Sequence, residues 1–406
     1  MTRQRVLISG AGIAGPALAF WLARSDFDVT VVERAPALRE GGQAVDFRGP
    51  VHREVLERMG LWDAIHQQRT RPCDVILLAR HGRRMITLPA VMMSGDVEIR
   101  RGDLTRLLYE RTAGSVCYRF GDEITGLAEG NAGVTARFSS GGSQTYDLVV
   151  GADGLHSRVR ALAFGDESRF LVHHGYRLAT FSLPDVLEVR DRAFTYTVPG
   201  RSVTVRSEGN GRARASFIFV GAAVGDERLD AIRSRALVRD AFRGVGWEVP
   251  RVLAHLDEVD DLYVDQIASI SIERYSSGRI VLLGDAAYGG TLGGQGTPLA
   301  IVGAYVLAGE LAHAQGDVCA ALARYEVLMR PYATKGQEGA KNVGRFFAPR
   351  TRHGLALRNL FYRVMTSRLF IHQFEKMVKA SASDFELPRY AYLASSETTS
   401  VGECGC

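Results

Sequence analysis

A glycine-rich turn near the start of the chain constrains the fold most strongly. Residues 6–9 are an apolar run typical of a buried strand, and the spacing Gly-x-Gly-x-x-Gly follows at Gly10, Gly12 and Gly15. Residues 16–24 have the composition of a helix. In such a turn the first glycine permits the tight bend, the second lets the backbone approach a pyrophosphate, and the third lets the helix pack against the strand. The helix N-terminus then offers free N–H groups to the phosphates.

A second apolar strand, residues 28–34, completes this signature. It carries Glu33 about 20 residues beyond the turn, where a carboxylate can bind ribose hydroxyls. The sequence therefore predicts a dinucleotide-binding site.

A secretory signal peptide is the competing interpretation, because Arg3 and Arg5 precede an apolar run. The glycines at fixed spacing and the absence of a cleavage pattern argue against it, and the run is too short and too rich in glycine and alanine for a membrane span.

Composition indicates an ordinary globular protein of two or three domains. The chain has 406 residues, of which 46% are hydrophobic and 23% charged. A net charge of +5 suits an anionic cofactor and does not point to nucleic acid. The five cysteines form no metal-binding pattern, and the adjacent pair His173 and His174 is expected to face opposite sides of a strand. We expect no metal, and we expect free thiols in a reducing cytoplasm.

Two further buried strands end in an acid and are followed by a helix. Asp153 follows the predicted strand 145–150, and Asp285 follows a strand that begins at residue 279. Because the carboxyl ends of parallel strands line one crevice, both carboxylates are predicted to converge on the glycine-rich turn. Helix capping is a compatible role for each. Arg101 precedes another helix and can reach phosphates, and a solvated basic turn is the alternative for it.

The middle of the chain changes character. Its segments alternate apolar and polar residues between Pro and Gly turns, which predicts a mostly antiparallel sheet in a separate domain. A basic amphipathic helix near the end of the chain can lie on a membrane, but we expect it to pack on its own domain.

The predicted fold is α/β, a Rossmann-like domain with an inserted antiparallel substrate sheet and C-terminal helices. The predicted domains are 1–72, 96–166 and 276–345 (cofactor), 73–95 and 167–275 (substrate), and 346–406 (C-terminal helices and tail).

These motifs together resemble the class A FAD-dependent aromatic hydroxylases, which share the para-hydroxybenzoate hydroxylase fold. The tetracycline-inactivating monooxygenases are among the similar members. The resemblance spans residues 1 to 315 and implies FAD as the cofactor. The matching segments are Gly10-Ala-Gly-Ile-Ala-Gly with Glu33-Arg34, Arg101-Gly-Asp-Leu, Gly151-Ala-Asp-Gly and Gly284-Asp-Ala-Ala.

The resemblance also implies a role for each motif. The first glycine turn would hold the pyrophosphate, Glu33 the adenosine ribose, and Arg101 the ribityl or phosphate region. Asp153 would belong to the motif that serves both FAD and NAD(P)H, and Asp285 would bind the ribityl chain or pyrophosphate. A later glycine-rich loop would direct N–H groups at the pyrimidine edge of the flavin. The implied cofactor residues are Gly10, Gly12, Ile13, Ala14, Gly15, Glu33, Arg34, Arg101, Asp153, Gly284, Asp285, Gly294, Gln295, Gly296 and Thr297.

The implied reaction is hydroxylation of an aromatic or polyketide-like small molecule. NAD(P)H would reduce the flavin transiently, and O2 would form a flavin C4a-hydroperoxide. Because the cofactor carries this chemistry, no catalytic side chain is expected to stand out. Arg201 and Arg206 are candidates to meet an acidic substrate, with plain surface arginines as the alternative. No W-x-W-x-I-P stretch is present, which argues against a flavin halogenase.

One loop departs from the family pattern and keeps other functions open. Relatives commonly have a histidine after Gly-Asp-Ala-Ala and a proline before Gly-Gln-Gly, whereas here Tyr288 replaces the histidine, the proline is absent before Gly294, and the loop is about one residue short. This loop would lie over the flavin where oxygen reacts. An oxidase, a reductase or a flavin-dependent cyclase is therefore the alternative function. A nucleotide-binding protein that uses the basic C-terminal helix at a membrane is a third.

Overall fold

The computed structural model describes residues 3–25, 27–39, 41–222, 230–291, 296–367, 370 and 385–390. In chain order its strands are β1 (Gln4–Ser9), β2 (Phe27–Glu33), β3 (Ala44–Phe47), β4 (Asp74–Leu78), β5 (Arg84–Leu88), β6 (Val97–Arg100), β7 (Cys117–Phe120), β8 (Ile124–Gly130), β9 (Gly133–Phe138), β10 (Ser143–Tyr146), β11 (Leu148–Gly151), β12 (Leu171–Pro184), β13 (Arg192–Val198), β14 (Arg201–Gly209), β15 (Arg212–Val220), β16 (Tyr263–Ile270), β17 (Ser276–Ser277) and β18 (Ile280–Leu282).

The α-helices are α1 (Ala14–Ala23), α2 (Gly49–Arg58), α3 (Trp62–Gln67), α4 (Ala90–Met93), α5 (Arg101–Glu110), α6 (Arg158–Ala163), α7 (Ala231–Ala241), α8 (Val249–Leu253), α9 (Asp285–Tyr288), α10 (Gly296–His313), α11 (Val318–Phe347) and α12 (Arg352–Met365). None of the helices in the described part of the chain is long and apolar enough to cross a membrane.

The central sheet has six strands in the order β17-β18-β11-β1-β2-β7. Strand β1 pairs in parallel with β2 and β11, and β11 pairs in parallel with β18. The side chains of Val6, Leu7 and Ile8 are fully buried, because helices cover both faces of a parallel sheet. Helices α1 and α10, which are apolar on nearly every side, pack against each other over it. The carboxyl ends of β1, β11 and β18 therefore lie side by side.

Residues 145–150 form parts of two strands, so the prediction of one continuous strand is wrong. Strand β10 ends at Tyr146 within the antiparallel sheet β10-β9-β8, and β11 starts at Leu148 in the central sheet. Asp147 lies between them. Its backbone N–H donates to the Arg5 carbonyl at 2.8 Å, and its carboxylate accepts the Arg5 N–H at 2.7 Å. These two hydrogen bonds join the chain to β1 where it passes from one sheet to the other.

The second large sheet has seven strands in the order β16-β12-β15-β14-β13-β4-β5. Its pairs are antiparallel except for β13 with β4. One face is apolar and packs against α7 and α8 through residues such as Phe181, Phe217 and Phe242. The other face carries hydroxyl groups in facing pairs, among them Thr195 and Thr204 with oxygens 2.8 Å apart. This polar face is the side of the sheet that can meet a ligand.

The C-terminal helices differ in extent from the sequence prediction. The sequence predicts a helix over 318–329, and in the structure α11 continues through Pro331 to Phe347. The sequence also predicts the basic amphipathic helix over about 355–380, of which α12 covers residues up to Met365, and much of the rest lies outside the described residues. Helix α12 packs on the seven-stranded sheet through Tyr362, which joins a cluster with Leu77, Ile86 and Leu88.

Candidate active site

The glycine-rich turn after β1 has the geometry that its sequence predicts. Gly10 has φ 106°, and its N–H donates to the Val32 carbonyl at 2.7 Å. A Cβ at this position would lie 2.6 Å from the Ala152 carbonyl oxygen, at the carboxyl end of β11. A Cβ at Gly15 would overlap the Gly10 carbonyl oxygen. Both glycines are therefore required by the protein itself.

Gly12 is different, because the protein leaves open space next to it. The nearest atom to a Cβ at this position would be Nη2 of Arg101, at 3.9 Å. Its φ lies outside the left-handed region. Alanine would therefore fit at this position in the protein alone. A glycine is explained here if a ligand approaches the backbone, as a pyrophosphate does in this type of turn.

Glu33 ends β2 beside the turn. Its carboxylate accepts the backbone N–H of Ala11 and that of Ala35, both at 2.9 Å. These bonds fix the carboxylate at the carboxyl edge of the sheet, where a ribose hydroxyl can reach it. The neighbouring Arg34 side chain is exposed.

Arg101 and Asp285 approach the turn from two other segments. Arg101 begins α5, and its backbone N–H donates to the Gln43 carbonyl at 3.1 Å. Burial raises the pKa of the Asp285 carboxyl, and the nearby Arg101 charge partly offsets this rise. Gly284, at the carboxyl end of β18, has φ 64°, and a Cβ there would lie 3.0 Å from the Ala14 Cβ. This close packing places Asp285 at the start of α9, next to α1.

The glycine-rich loop after α9 is described in part. Gly294 and Gln295 lie outside the described residues. Gly296 and Thr297 form the first turn of α10, and a Cβ at Gly296 would lie 3.2 Å from Oδ1 of Asp285. The N-terminus of α10 is therefore directed to the same crevice as Asp285.

Asp153 caps a helix at the carboxyl end of β11. Its carboxylate accepts the Ser157 hydroxyl at 2.5 Å and the backbone N–H groups of Arg158 and Val159 at 2.8 and 3.1 Å. All three donors lie at the start of α6 or directly before it. The capping role considered for this residue is thus its role within the protein.

An ionic chain connects this crevice with the seven-stranded sheet. The Tyr263 hydroxyl donates to Asp265, whose other oxygen lies 3.2 Å from Nε2 of His156. Nδ1 of His156 lies 2.8 Å from Glu167, which accepts Arg160 at 3.1 Å. At its other end Arg160 donates to the carbonyl of Ala286, the residue after Asp285, at 2.9 Å, so this ionic chain reaches the cofactor crevice.

The two carboxylates hold His156 in its charged form. Its hydrogen bond to Asp265, together with the one to Glu167, raises its pKa to about 10. The pKa of Asp265 is low, because hydrogen bonds from His156 and Tyr263 outweigh the effect of burial. Sequence reasoning missed this chain of ionic and hydrogen-bonded side chains. Its members are distant in the sequence, since Tyr263 and Asp265 lie on β16 whereas His156, Arg160 and Glu167 all precede β12.

A cavity of about 170 Å³ lies between the polar face of the seven-stranded sheet, β6 and the C-terminal helices. Arg206 lines it and pairs with Glu98 of β6 at 2.7 Å. Two residues beyond Glu98, Arg100 donates to the Glu208 carbonyl. Because Arg101 follows directly, the same segment borders both the cavity and the cofactor crevice. The residues that line the cavity are Cys73, Val75, Leu77, Leu88, Ser94, Glu98, Ala193, Thr195, Thr204, Arg206, Phe347, Arg358 and Tyr362.

Comparison with known proteins assigns the family. A family model described as an FAD binding domain matches residues 3–336. A flavin-dependent monooxygenase of Legionella longbeachae serogroup 1 (strain NSW150) is 35% identical, over 82% of this chain and 87% of the relative. The chain belongs to the FAD-dependent monooxygenases.

Two further comparisons support this assignment. The FAD-dependent monooxygenase asL6 of Sarocladium schorii is 30% identical over 96% of this chain and 98% of the relative. The crystal structure of the tetracycline destructase Tet(51) superposes with a TM-score of 0.83 at 30% identity, and the match covers 96% of this chain and all of that chain. The predicted α/β fold, the resemblance to class A flavoprotein monooxygenases and FAD as the cofactor are confirmed.

The crevice of this monooxygenase fits FAD. The open space at Gly12 would admit the pyrophosphate, with the α1 N-terminus and Arg101 as positive partners. Glu33 lies where the adenosine ribose would bind, and Asp285 lies at the edge shared with α10. When bound, FAD supplies the redox chemistry, while the protein supplies the cradle and excludes water.

Tyr288 lies in the core of this monooxygenase rather than in a loop. The ring is 2% exposed, and the hydroxyl group lies 3.4 Å from the Leu299 carbonyl and 3.3 Å from the Tyr325 hydroxyl. The ring also packs edge-on against Tyr275. The Tyr288 side chain therefore belongs to the core and not to the loop that follows it. Most of the loop that follows lies outside the described residues.

The two candidate substrate arginines lie on opposite faces of the seven-stranded sheet. Arg206 lines the cavity on the polar face. Arg201 points to the other side, where its guanidinium donates to the Ala241 carbonyl at 3.0 Å at the end of α7. The structure therefore does not bring Arg201 and Arg206 together, and of the two only Arg206 lines the cavity. The His173 and His174 pair lies at a β-bulge, and none of the described residues forms a cluster able to hold a metal ion.

Proposed function

We propose that this monooxygenase uses NAD(P)H and O2 to hydroxylate an aromatic or polyketide-like small molecule. The overall change would be substrate C–H, O2, NAD(P)H and a proton giving substrate C–OH, water and NAD(P)⁺. The observation that carries the proposal is the cavity beside the FAD crevice, which shares the β6–α5 segment with it. We assign Arg206, paired with Glu98, to the wall of the substrate site.

The lining of the cavity suits a flat ring system. One face of the seven-stranded sheet forms one wall, where aliphatic side chains of β4 and β5 lie beside the hydroxyls of Thr195 and Thr204. Phe347 and Tyr362 of the C-terminal helices line the other side. Apolar walls with a few placed polar groups are typical of small-molecule sites. The neighbouring structure named a tetracycline destructase supports a fused-ring substrate.

In this proposal the protein's own residues bind and orient the cofactor and the substrate. Arg101, Glu33 and Asp285 would hold the cofactor at the carboxyl edge of the central sheet, and the cavity residues would hold the substrate. Cys73 and Cys319 form no disulfide with another described residue, which supports a reducing, cytoplasmic location.

The test measures NADPH and NADH oxidation by the FAD-replete protein with tetracycline and a panel of fused-ring phenols. We expect at least one compound to stimulate NAD(P)H oxidation and to yield a product heavier by one oxygen atom. A Gly12→Ala variant, which is designed to lose FAD and retain the fold, is the matched control. Stimulated oxidation with the compound recovered unchanged would contradict the proposal and favour an oxidase, reductase or cyclase.

A further inference from the structure

Helix α12 carries a buried arginine, Arg358, that faces no acid among the residues that the structure describes. The Arg358 side chain is 7% exposed. Nη1 donates to the Phe347 carbonyl at 2.9 Å and lies 3.4 Å from the Thr197 hydroxyl. Nε and Nη2 both donate to the Asn359 side-chain oxygen, at 3.3 and 2.9 Å. Every acceptor is neutral.

This arrangement leaves a buried charge without an ionic partner among the described residues. Burial lowers the pKa of Arg358, and no carboxylate opposes that effect, since the Tyr362 phenol is the group that raises it. A buried charge normally has an opposite charge close by, because desolvation is costly. Four hydrogen bonds also leave one of the five guanidinium N–H groups for another acceptor.

Arg358 lines the cavity that we assign to the substrate, together with two other charged side chains. Those two, Arg206 and Glu98, already form an ion pair at 2.7 Å. The remaining charge of the lining is the single positive charge of Arg358. A cavity with this balance favours a ligand with one negative charge.

We propose that Arg358 binds an anionic oxygen of the substrate, such as a carboxylate or an ionised enol or phenol on a planar ring system. This inference rests on the proposed function, because it deepens the assignment of the same cavity. The guanidinium is held in place by its neutral acceptors, and an arginine suits a planar oxyanion better than a lysine does. The ring system would lie along the aliphatic side chains of β4 and β5.

The test uses a pair of probes that differ in charge. 2-Naphthoate and 2-naphthamide have the same ring system, but only the first is an anion at neutral pH. Binding of each to the FAD-replete full-length protein is measured by isothermal titration calorimetry. We expect the wild-type protein to bind the naphthoate at least about tenfold more tightly than the naphthamide.

Variants identify the residue responsible. Arg358→Gln should weaken naphthoate binding at least about tenfold and change naphthamide binding by less than about threefold. Arg363→Gln is the matched control, because it removes an exposed arginine from the same helix and should leave both affinities unchanged. If Arg358→Gln does not fold, Arg358→Lys retains the charge and should retain a weakened preference for the anion.

Three results would overturn the inference. They are equal affinity of the wild-type protein for the two probes, no detectable naphthoate binding at millimolar concentration, and an unchanged preference in Arg358→Gln. Because calorimetry requires no turnover, these results are separate from a failure of the proposed hydroxylation. A protein that binds the naphthoate through Arg358 but inserts no oxygen would contradict the proposed function alone.

Discussion

The hydroxyl of Tyr288 occupies the space that a side chain at Gly303 would need. A Cβ added to Gly303 of α10 would overlap this oxygen. The Leu283 side chain would lie 3.1 Å from the same Cβ. Tyr288 and Gly303 are thus a matched pair, in which the absence of one side chain makes room for the polar end of the other.

Gly303→Ala should destabilise the protein through this overlap. Overpacking costs about 1–3 kcal/mol, and the better helix propensity of alanine offsets up to about 1 kcal/mol. We expect a net loss of about 1–2 kcal/mol in the free energy of unfolding, measured by urea denaturation of the FAD-replete protein. The double variant Gly303→Ala/Tyr288→Phe should recover part of this loss, because it removes the hydroxyl.

Gly114→Ala is the control for that experiment. A Cβ at Gly114 meets no atom within 4 Å, so little change is expected. Equal losses in Gly303→Ala with and without Tyr288→Phe would show that the two residues are not coupled.

Substitutions of the glycines in the first turn should distinguish effects on folding from effects on cofactor binding. Gly12→Ala should change the free energy of unfolding of the FAD-free protein by less than about 0.5 kcal/mol, because a Cβ has room there. It should raise the FAD dissociation constant at least about tenfold, since the Cβ would fill the space that the pyrophosphate needs. Titration of FAD by fluorescence quenching measures this.

Gly15→Ala is the comparison variant. Its Cβ would overlap the Gly10 carbonyl oxygen, and backbone atoms cannot move aside as a flexible side chain can. It should therefore lose several kcal/mol of stability even without FAD. If Gly12→Ala loses as much stability as Gly15→Ala, or binds FAD normally, the account of the crevice is wrong.

Asp153→Asn should weaken the start of α6. The carboxylate accepts the Ser157 hydroxyl and two backbone N–H groups, and an amide has one accepting oxygen fewer. We expect a loss of about 1–2 kcal/mol in the free energy of unfolding, present with and without FAD. Asp191→Asn, at an exposed position, should cause almost none. A loss seen only in the FAD-replete protein would instead assign Asp153 a direct role at the cofactor.

The ionic chain around His156 predicts a pH dependence of stability. Its pKa is raised from about 6.5 to about 10 in the folded protein. The imidazolium therefore contributes its full stability below pH 6.5, and this contribution is lost as the pH rises towards 10. Because the ring is partly exposed, we expect a difference of about 1–2 kcal/mol.

The measurement is urea denaturation between pH 7 and pH 10 of the wild-type protein and of His156→Gln. The stability advantage of the wild-type protein over His156→Gln should shrink as the pH rises. His353→Gln, at an exposed position, should parallel the wild-type curve. An advantage that stays constant over this range would contradict the charged state assigned to His156.

Local steric rules made the geometry of the first glycine turn predictable from the sequence. Gly10 and Gly15 are required by contacts within one strand–turn–helix unit, and Glu33 ends the next strand. Each is thus encoded close to its partners along the chain. The carboxyl ends of parallel strands then bring in Asp153 and Asp285, as the sheet rule predicts.

Side-chain direction was harder to predict. The position of Tyr288 after α9 follows from its motif, but its direction depends on the space at Gly303, which no local pattern reveals. Arg201 and Arg206 are five positions apart on one strand, and because this spacing is odd, strand alternation places them on opposite faces. That signal was available in the sequence.

Long-range contacts were not predictable. His156 lies just before α6, and it meets Asp265 of β16, 109 residues later in the chain. Arg358 lies on a basic helix whose pattern predicts solvated arginines, and its burial depends on how α12 packs against the sheet. Both cases require the tertiary arrangement of distant segments.

Isotope labelling identifies the source of the oxygen atom that the product gains. The FAD-replete protein is supplied with NADPH, a compound that stimulates NADPH oxidation, and ¹⁸O2 in ordinary water. We predict that the product gains one ¹⁸O atom, as a monooxygenase requires. A product without ¹⁸O, formed while NADPH is consumed and O2 is recovered as hydrogen peroxide, would contradict oxygen insertion by this protein.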